Sequence, residues 1–201
     1  MSAMVTHPTI TDRLAGGGNA RLRNISLAIA GSLALWVSAK VQVPFYPVPI
    51  TMQTFVVLAM GMAFGWRLAA ATVALYLAQG AMGLPVFAGT PEKGLGLAYM
   101  MGPTGGYLLG MLPAAALCGW LAERGWDRSV VRTALAMIAG NVVIYAFGVT
   151  WLGAVIGWDK PVLQLGLYPF LYGDLAKLAL AACALPLAWK LLGAQPSGSG
   201  L

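Results

Sequence analysis

Charge is the scarcest commodity in this chain. Of 201 residues only 18 are ionised at neutral pH, 12 of them Lys or Arg and 6 Asp or Glu. A soluble domain carries roughly 25% charged residues, so 9% is too few to cover a soluble globule. Apolar types make up 59% of the chain, which excludes intrinsic disorder. Two cysteines, Cys118 and Cys183, lie far apart in apolar runs; they read as buried reduced thiols, not as a disulfide framework or a metal site. The single histidine, His7, supports no metal centre and is expected to be solvated. No G-x-x-x-x-G-K-[ST] run occurs, and no G-x-G-x-x-G follows a strand, so no recognised ATP-binding device is present. Alternating polar and apolar residues, the mark of a membrane barrel, are also missing.

What remains is long uncharged sequence. A membrane helix needs roughly 20 apolar residues, and the uncharged intervals predict six, at about 23–40, 51–65, 67–83, 104–122, 132–156 and 167–192. The chain therefore reads as an all-α integral membrane protein: a polar lead over 1–22, a six-helix domain over 23–193 and a flexible tail over 194–201. The lead, with Gly16-Gly17-Gly18, is expected to be mobile. Its basic residues before an apolar run resemble a signal sequence, but cleavage would remove the first span, so the first helix is read as retained. Placing the N-terminus inside puts Arg13, Arg21, Arg23, Arg67, Arg124, Arg128, Arg132 and Lys190 on the inner face and only Lys40, Lys93 and Lys160 outside. Both termini are thus predicted to be cytoplasmic. The net charge of +6 describes topology, not affinity for nucleic acid.

Two charges fit neither face. Asp174 and Lys177 lie within the last helix at i, i+3, on one side and close enough to pair. Intramembrane charge is expensive and should face a cavity or a partner; the pair is either the wall of a polar pocket or helix-to-helix glue. Pro47 and Pro49 hold the chain extended before Thr51, a candidate helix cap, and Gln53 points either into an outer pocket or at the helix end. Gly102-Pro-Thr-Gly-Gly-Tyr107 opens the fourth helix, an arrangement that serves either ligand binding at exposed backbone N–H groups or close helix packing. Asn141 and Tyr145 share a face of the fifth helix at i, i+4. The outward loops 40–50 and 83–103 are rich in apolar and aromatic residues, Phe87 among them, and suggest a lid packed over something. Small-xxx-small spacings at Ala30/Ala34, Gly61/Gly65, Gly106/Gly110 and Ala136/Gly140 predict close helix contacts.

Four of these blocks, VPITMQT, YLAQGAMGLPVFAG, GPTGGYLLG and YGDLAK, occur in that order. Together they resemble the BioY family over about 24–192. BioY proteins are the biotin-specific substrate-binding (S) components of energy-coupling factor (ECF) transporters. The resemblance implies a six-helix S component in the cell membrane of a prokaryote, surrounded by lipid, not an enzyme and without a cofactor. Biotin would be its cargo. Its partners would be a transmembrane coupling (T) protein and two ABC-type ATPases, which alone use ATP. It implies a biotin pocket that holds Asp174 and Lys177, with Lys93 toward the carboxylate tail; Gln53, Asn141, Tyr145, Phe87 and Tyr107 are the further candidates for its lining. It implies that Ala30 and Ala34 dock on the T protein. Competing readings are a self-sufficient secondary transporter with Asp174 as a relay, and a small membrane enzyme, for which a second acid, histidine or nucleophile is lacking.

Overall fold

A computed structural model describes residues 7–11 and 19–191 of the chain. Helix α1 spans Ala20–Lys40. A two-stranded antiparallel ribbon follows, β1 (Gln42–Val43) on β2 (Ile50–Thr51). Then come α2 (Gln53–Phe64), α3 (Trp66–Ala81) and a short α4 (Gly96–Met100). Next are α5 (Gly105–Ala122), a 3₁₀ turn (Trp126–Arg128) and α6 (Val130–Ile156). The described chain ends with α7 (Val162–Gly166) and α8 (Tyr168–Leu191). By length and composition, four segments suffice to cross a membrane: α1, α5, α6 and the run 162–191. Helix α2 is apolar but short.

The boundaries have local causes. Asn19 starts α1 three residues before the expected point, its side chain accepting from the Arg21 and Leu22 amides. Thr51 lies in β2, not at the head of a helix, yet its Oγ1 still accepts from the Gln53 N–H at 3.3 Å. The α2–α3 hairpin turns on Gly65 alone, with φ +78°, a conformation few other residues adopt. Loop 83–103 is not structureless, since α4 sits within it.

Helix α5 is the hub, with 67% of its apolar window buried against about a third for the other long helices. It packs on α6, α2 and α3. Its glycines make that possible: a Cβ on Gly106 would lie 2.2 Å from Trp151 Cβ. A Cβ on Gly61 of α2 would lie 2.7 Å from the Ala115 carbonyl oxygen of α5. The spacings at Gly61/Gly65, Gly106/Gly110 and Ala136/Gly140 mark close approaches, whereas, among the described residues, Ala30 and Ala34 are exposed with no helix of this chain against them.

The N-terminal lead departs from expectation. Residues 7–11 pack at the end of the bundle that holds the α2–α3 hairpin and the α5–α6 connection. The His7 amide donates to the Glu123 carbonyl at 2.7 Å, and Thr11 Oγ1 donates to the Ala63 carbonyl at 3.3 Å. Ile10 is buried in the core. His7 is half-buried beside Gly125, not freely solvated. Composition gave no hint of this, because one isoleucine among polar residues docks only through tertiary contact. The expected mobile Gly16–Gly18 and the tail 194–201 lie outside the described residues.

At the same end three arginines cap three tryptophans: Arg67 on Trp66, Arg124 on Trp120 and Arg128 on Trp189. Asp127 sits there at 1% exposure. Its Oδ2 accepts from Trp189 Nε1 at 2.5 Å, tying α8 to the α5–α6 connection, while Oδ1 is buried without a protein partner. Burial pushes its carboxyl up to about 6, only partly offset by the Trp189 hydrogen bond. The unfolded chain therefore gives up this proton more readily. The resulting stability is full below about pH 4 and is lost as pH rises through 6. A two-unit shift corresponds to about 3 kcal/mol at most. Melting temperatures in detergent from pH 4 to 8 should fall for the native chain and fall less for Asp127→Asn; parallel curves would remove Asp127 as the cause.

Candidate functional site

The end of the bundle that holds Lys40 closes around a pocket, and each wall follows from a local feature. The Pro-rich segment after β1 brings Val48 and Pro49 over its top. The first turn of α2 delivers Gln53 and Thr54, α5 delivers Tyr107 and Met111, α6 delivers Ile144 and Tyr145, and α8 delivers Phe170 and Lys177. The cavity itself is about 40 Å³, within a wider hollow of about 500 Å³ that includes open solvent.

Its polar side centres on Lys177. The ammonium donates to the Thr51 carbonyl at 2.7 Å, to Thr54 Oγ1 at 2.9 Å and to Asp174 Oδ1 at 3.0 Å. Asp174 Oδ1 also accepts from Thr54 Oγ1 at 3.3 Å, and Oδ2 accepts from the Tyr145 hydroxyl. Asp174 and Lys177 are 5% and 9% exposed. A buried pair survives only when its remaining donors and lone pairs are met, and here two neighbouring helices and the strand before α2 meet them. Gln53 Nε2 donates to the Tyr76 hydroxyl at 2.7 Å, which donates on to the Val86 carbonyl at 2.9 Å.

The apolar side is aromatic. Tyr107 stacks on Phe170 at 6.2 Å, Tyr145 meets both rings edge-on, and Phe45 meets Phe170 at 6.4 Å. The Tyr107 hydroxyl donates to the Gly166 carbonyl at 2.7 Å, fixing α7 to α5.

Of the residues singled out from sequence, Lys177, Gln53, Tyr145 and Tyr107 line this pocket directly. Asp174 stands immediately behind them and also faces a groove between α6 and α8. Asn141 lies in that groove and not in the pocket; its Oδ1 is buried and unpaired. Phe87 is fully buried between Tyr76 and Tyr99, beneath the lining. Lys93 is exposed, its stem against Gly89. Ala30 and Ala34 are exposed on α1. Sequence reasoning passed over Thr54 and Phe170. Phe170 stands one helical turn before Asp174, and Thr54 one residue after Gln53, so each neighbours a residue that was recognised.

A polar cluster opposite an aromatic wall suits a small ligand with both hydrogen-bonding and apolar parts. A sequence profile of the BioY family matches residues 9–194. The chain belongs to the BioY family. A biotin transporter BioY of Thermotoga maritima is 39% identical over 73% of this chain and 83% of its own length. That of Rhizobium etli is 38% identical over 75% and 82%, and that of Rhodobacter capsulatus 37% over 79% and 88%. The fold of this BioY-family chain resembles the crystal structure of the S-component for biotin from an ECF-type ABC transporter. Its TM-score is 0.71 at 22% identity, over 88% of this chain and 95% of that one.

Proposed function

We propose that the chain is the biotin-binding membrane subunit of an ECF-type uptake transporter in a prokaryotic cell membrane. It captures biotin from the outer side and passes it inward through a T protein and two ABC-type ATPases. The observation that carries this reading is the pairing of Lys177, Thr54 and Asp174 with an aromatic wall across one pocket, in a family whose relatives are biotin transporters. A ureido ring offers two N–H donors and one carbonyl acceptor. The Asp174 carboxylate and Thr54 hydroxyl accept the first, and Lys177 donates to the second. The thioether ring and aliphatic tail bury against Tyr107, Phe170 and Met111. Water is excluded when the loops close, which strengthens each polar contact. Phe87, Lys93 and Asn141 then act from outside the pocket in this conformation, Phe87 as the packing under the loop.

Six spans with both termini cytoplasmic complete the reading. Among the described residues seven basic side chains belong to the end that holds the Arg–Trp pairs (Arg21, Arg23, Arg67, Arg124, Arg128, Arg132 and Lys190), against Lys40, Lys93 and Lys160 at the other. That asymmetry supports a cytoplasmic placement of the more basic end. The chain performs no chemistry on its cargo and uses no cofactor.

Calorimetry with the detergent-purified chain should show one biotin bound per chain, and solvent extraction should recover the ligand intact. Absence of heat up to about millimolar biotin, a binding energy of only about 4 kcal/mol, would sink the assignment.

A further inference from the structure

Within the loop that borders the pocket, Thr90 bonds back to the Phe87 carbonyl through its amide at 3.4 Å and its hydroxyl at 2.7 Å, and four of the loop's backbone carbonyls are met from elsewhere as well. Val86 is met by the Tyr76 hydroxyl of α3 at 2.9 Å. Ala88, which lines the pocket, is met by the Tyr99 hydroxyl of α4 at 2.7 Å. Phe87 and Thr90 are met by Lys40, the last residue of α1, whose ammonium donates to the Phe87 carbonyl at 2.9 Å and to the Thr90 carbonyl and Oγ1 at 3.0 Å each. Buried carbonyls left bare cost free energy, so these contacts keep the loop down.

The three anchors differ in kind. Tyr76 and Tyr99 belong to the packed core around Phe87. Lys40 belongs to α1, which packs on α3 and α2 and leaves Leu22, Ile25, Ile29, Leu33 and Val37 exposed. Its stem is exposed while all three ammonium donors are engaged. Among the described residues, the charged side chain that holds the loop therefore comes from the least buried long helix.

We propose that Lys40 is a positioning residue: it latches the 86–90 loop over the ligand pocket and ties release of that loop to movement of α1. The cargo is the biotin of the function proposed above. Lys40 does not touch the ligand, since the pocket lining excludes it. It acts through the Phe87 and Thr90 carbonyls on Ala88 between them. A partner that displaces the outer end of α1 draws the ammonium off three acceptors at once and frees the loop, whereas a partner gripping only the inner end leaves the latch closed.

The test compares the full-length native chain with Lys40→Met and Lys40→Arg in detergent. Hydrogen–deuterium exchange over 84–95, without ligand, should quicken about ten-fold in Lys40→Met and return most of the way in Lys40→Arg, while α5 and α6 stay as protected as before. Release of radiolabelled biotin in a chase should accelerate about ten-fold with little change in the association rate. Unchanged exchange in the loop overturns the latch. So does exchange that rises equally in every helix, which makes Lys40 a general stabiliser. Should the native chain take up no biotin, the functional assignment falls, and the exchange comparison still judges the latch.

Discussion

Asp174→Asn is expected to weaken biotin binding at least about ten-fold while the melting temperature in detergent moves by only a few degrees. The side chain keeps its shape and still accepts through one oxygen, so Lys177 and the Tyr145 hydroxyl retain neighbours. What disappears is the negative charge that holds the ammonium and receives a ureido N–H. Asp174→Ala is a harsher change. It leaves Lys177 with only Thr51 and Thr54, and breaking a buried pair from one side costs about 3–5 kcal/mol. That variant should lose both binding and much of its thermal stability. Asp174→Ala combined with Lys177→Met should regain stability but not binding, because an apolar pair packs without an unpaired charge. Native affinity in Asp174→Asn would place the ureido ring elsewhere. Equal melting of the alanine variant and the native chain would mean that the pair is not buried as described.

A bulky residue on the outward face of α1 should separate binding from transport. Ala30 and Ala34 are one turn apart and exposed, while Gly31, Ser32 and Leu35 on the opposite face pack into the protein. Gly31 has no room to spare: a Cβ there would lie 2.7 Å from Thr72 Cγ2. An indole at position 30 or 34 therefore projects away from the pocket. Ala30→Trp and Ala34→Trp should bind biotin within about two-fold of native, because less than half a kcal/mol of pocket energy is touched. Uptake by cells supplying the coupling protein and ATPases should drop below about a tenth, since small-residue contacts tolerate no such side chain. Undiminished uptake and normal co-purification would remove this face from the docking surface. A loss of biotin affinity instead would show that α1 reports on the pocket through its own packing.

Scarcity of charge made the helices and the Asp174–Lys177 pair legible. With so few ionised groups, each uncharged interval delimits a helix, and the two charges inside one stand out. The limits of that reading are geometric. Asn141 and Tyr145 share a face by spacing, yet four residues advance a helix by about 400°, an offset of about 40°. The wall between pocket and groove runs through that offset, so Tyr145 lines both while Asn141 faces only the groove. Phe87 looked like a wall because it is aromatic and outward; it is instead seated against Gly80, where a Cβ would lie 2.0 Å from its ring. Lys40 was legible only as an outer charge. Its three acceptors are carbonyls and a hydroxyl some 50 residues away in sequence, and a backbone carbonyl leaves no mark on composition. The docked Thr9–Thr11 segment escaped for the same reason.

Helices α2 and α3 hold 12 and 16 residues and rise only about 18 and 24 Å, against a hydrocarbon layer about 30 Å thick. Helices this short span such a layer only where the bilayer thins around them. Where both span it, acyl-chain length bears on the helices that carry Gln53, Thr54 and Tyr76, and retention of the proposed cargo becomes a joint property of the chain and of the membrane that holds it.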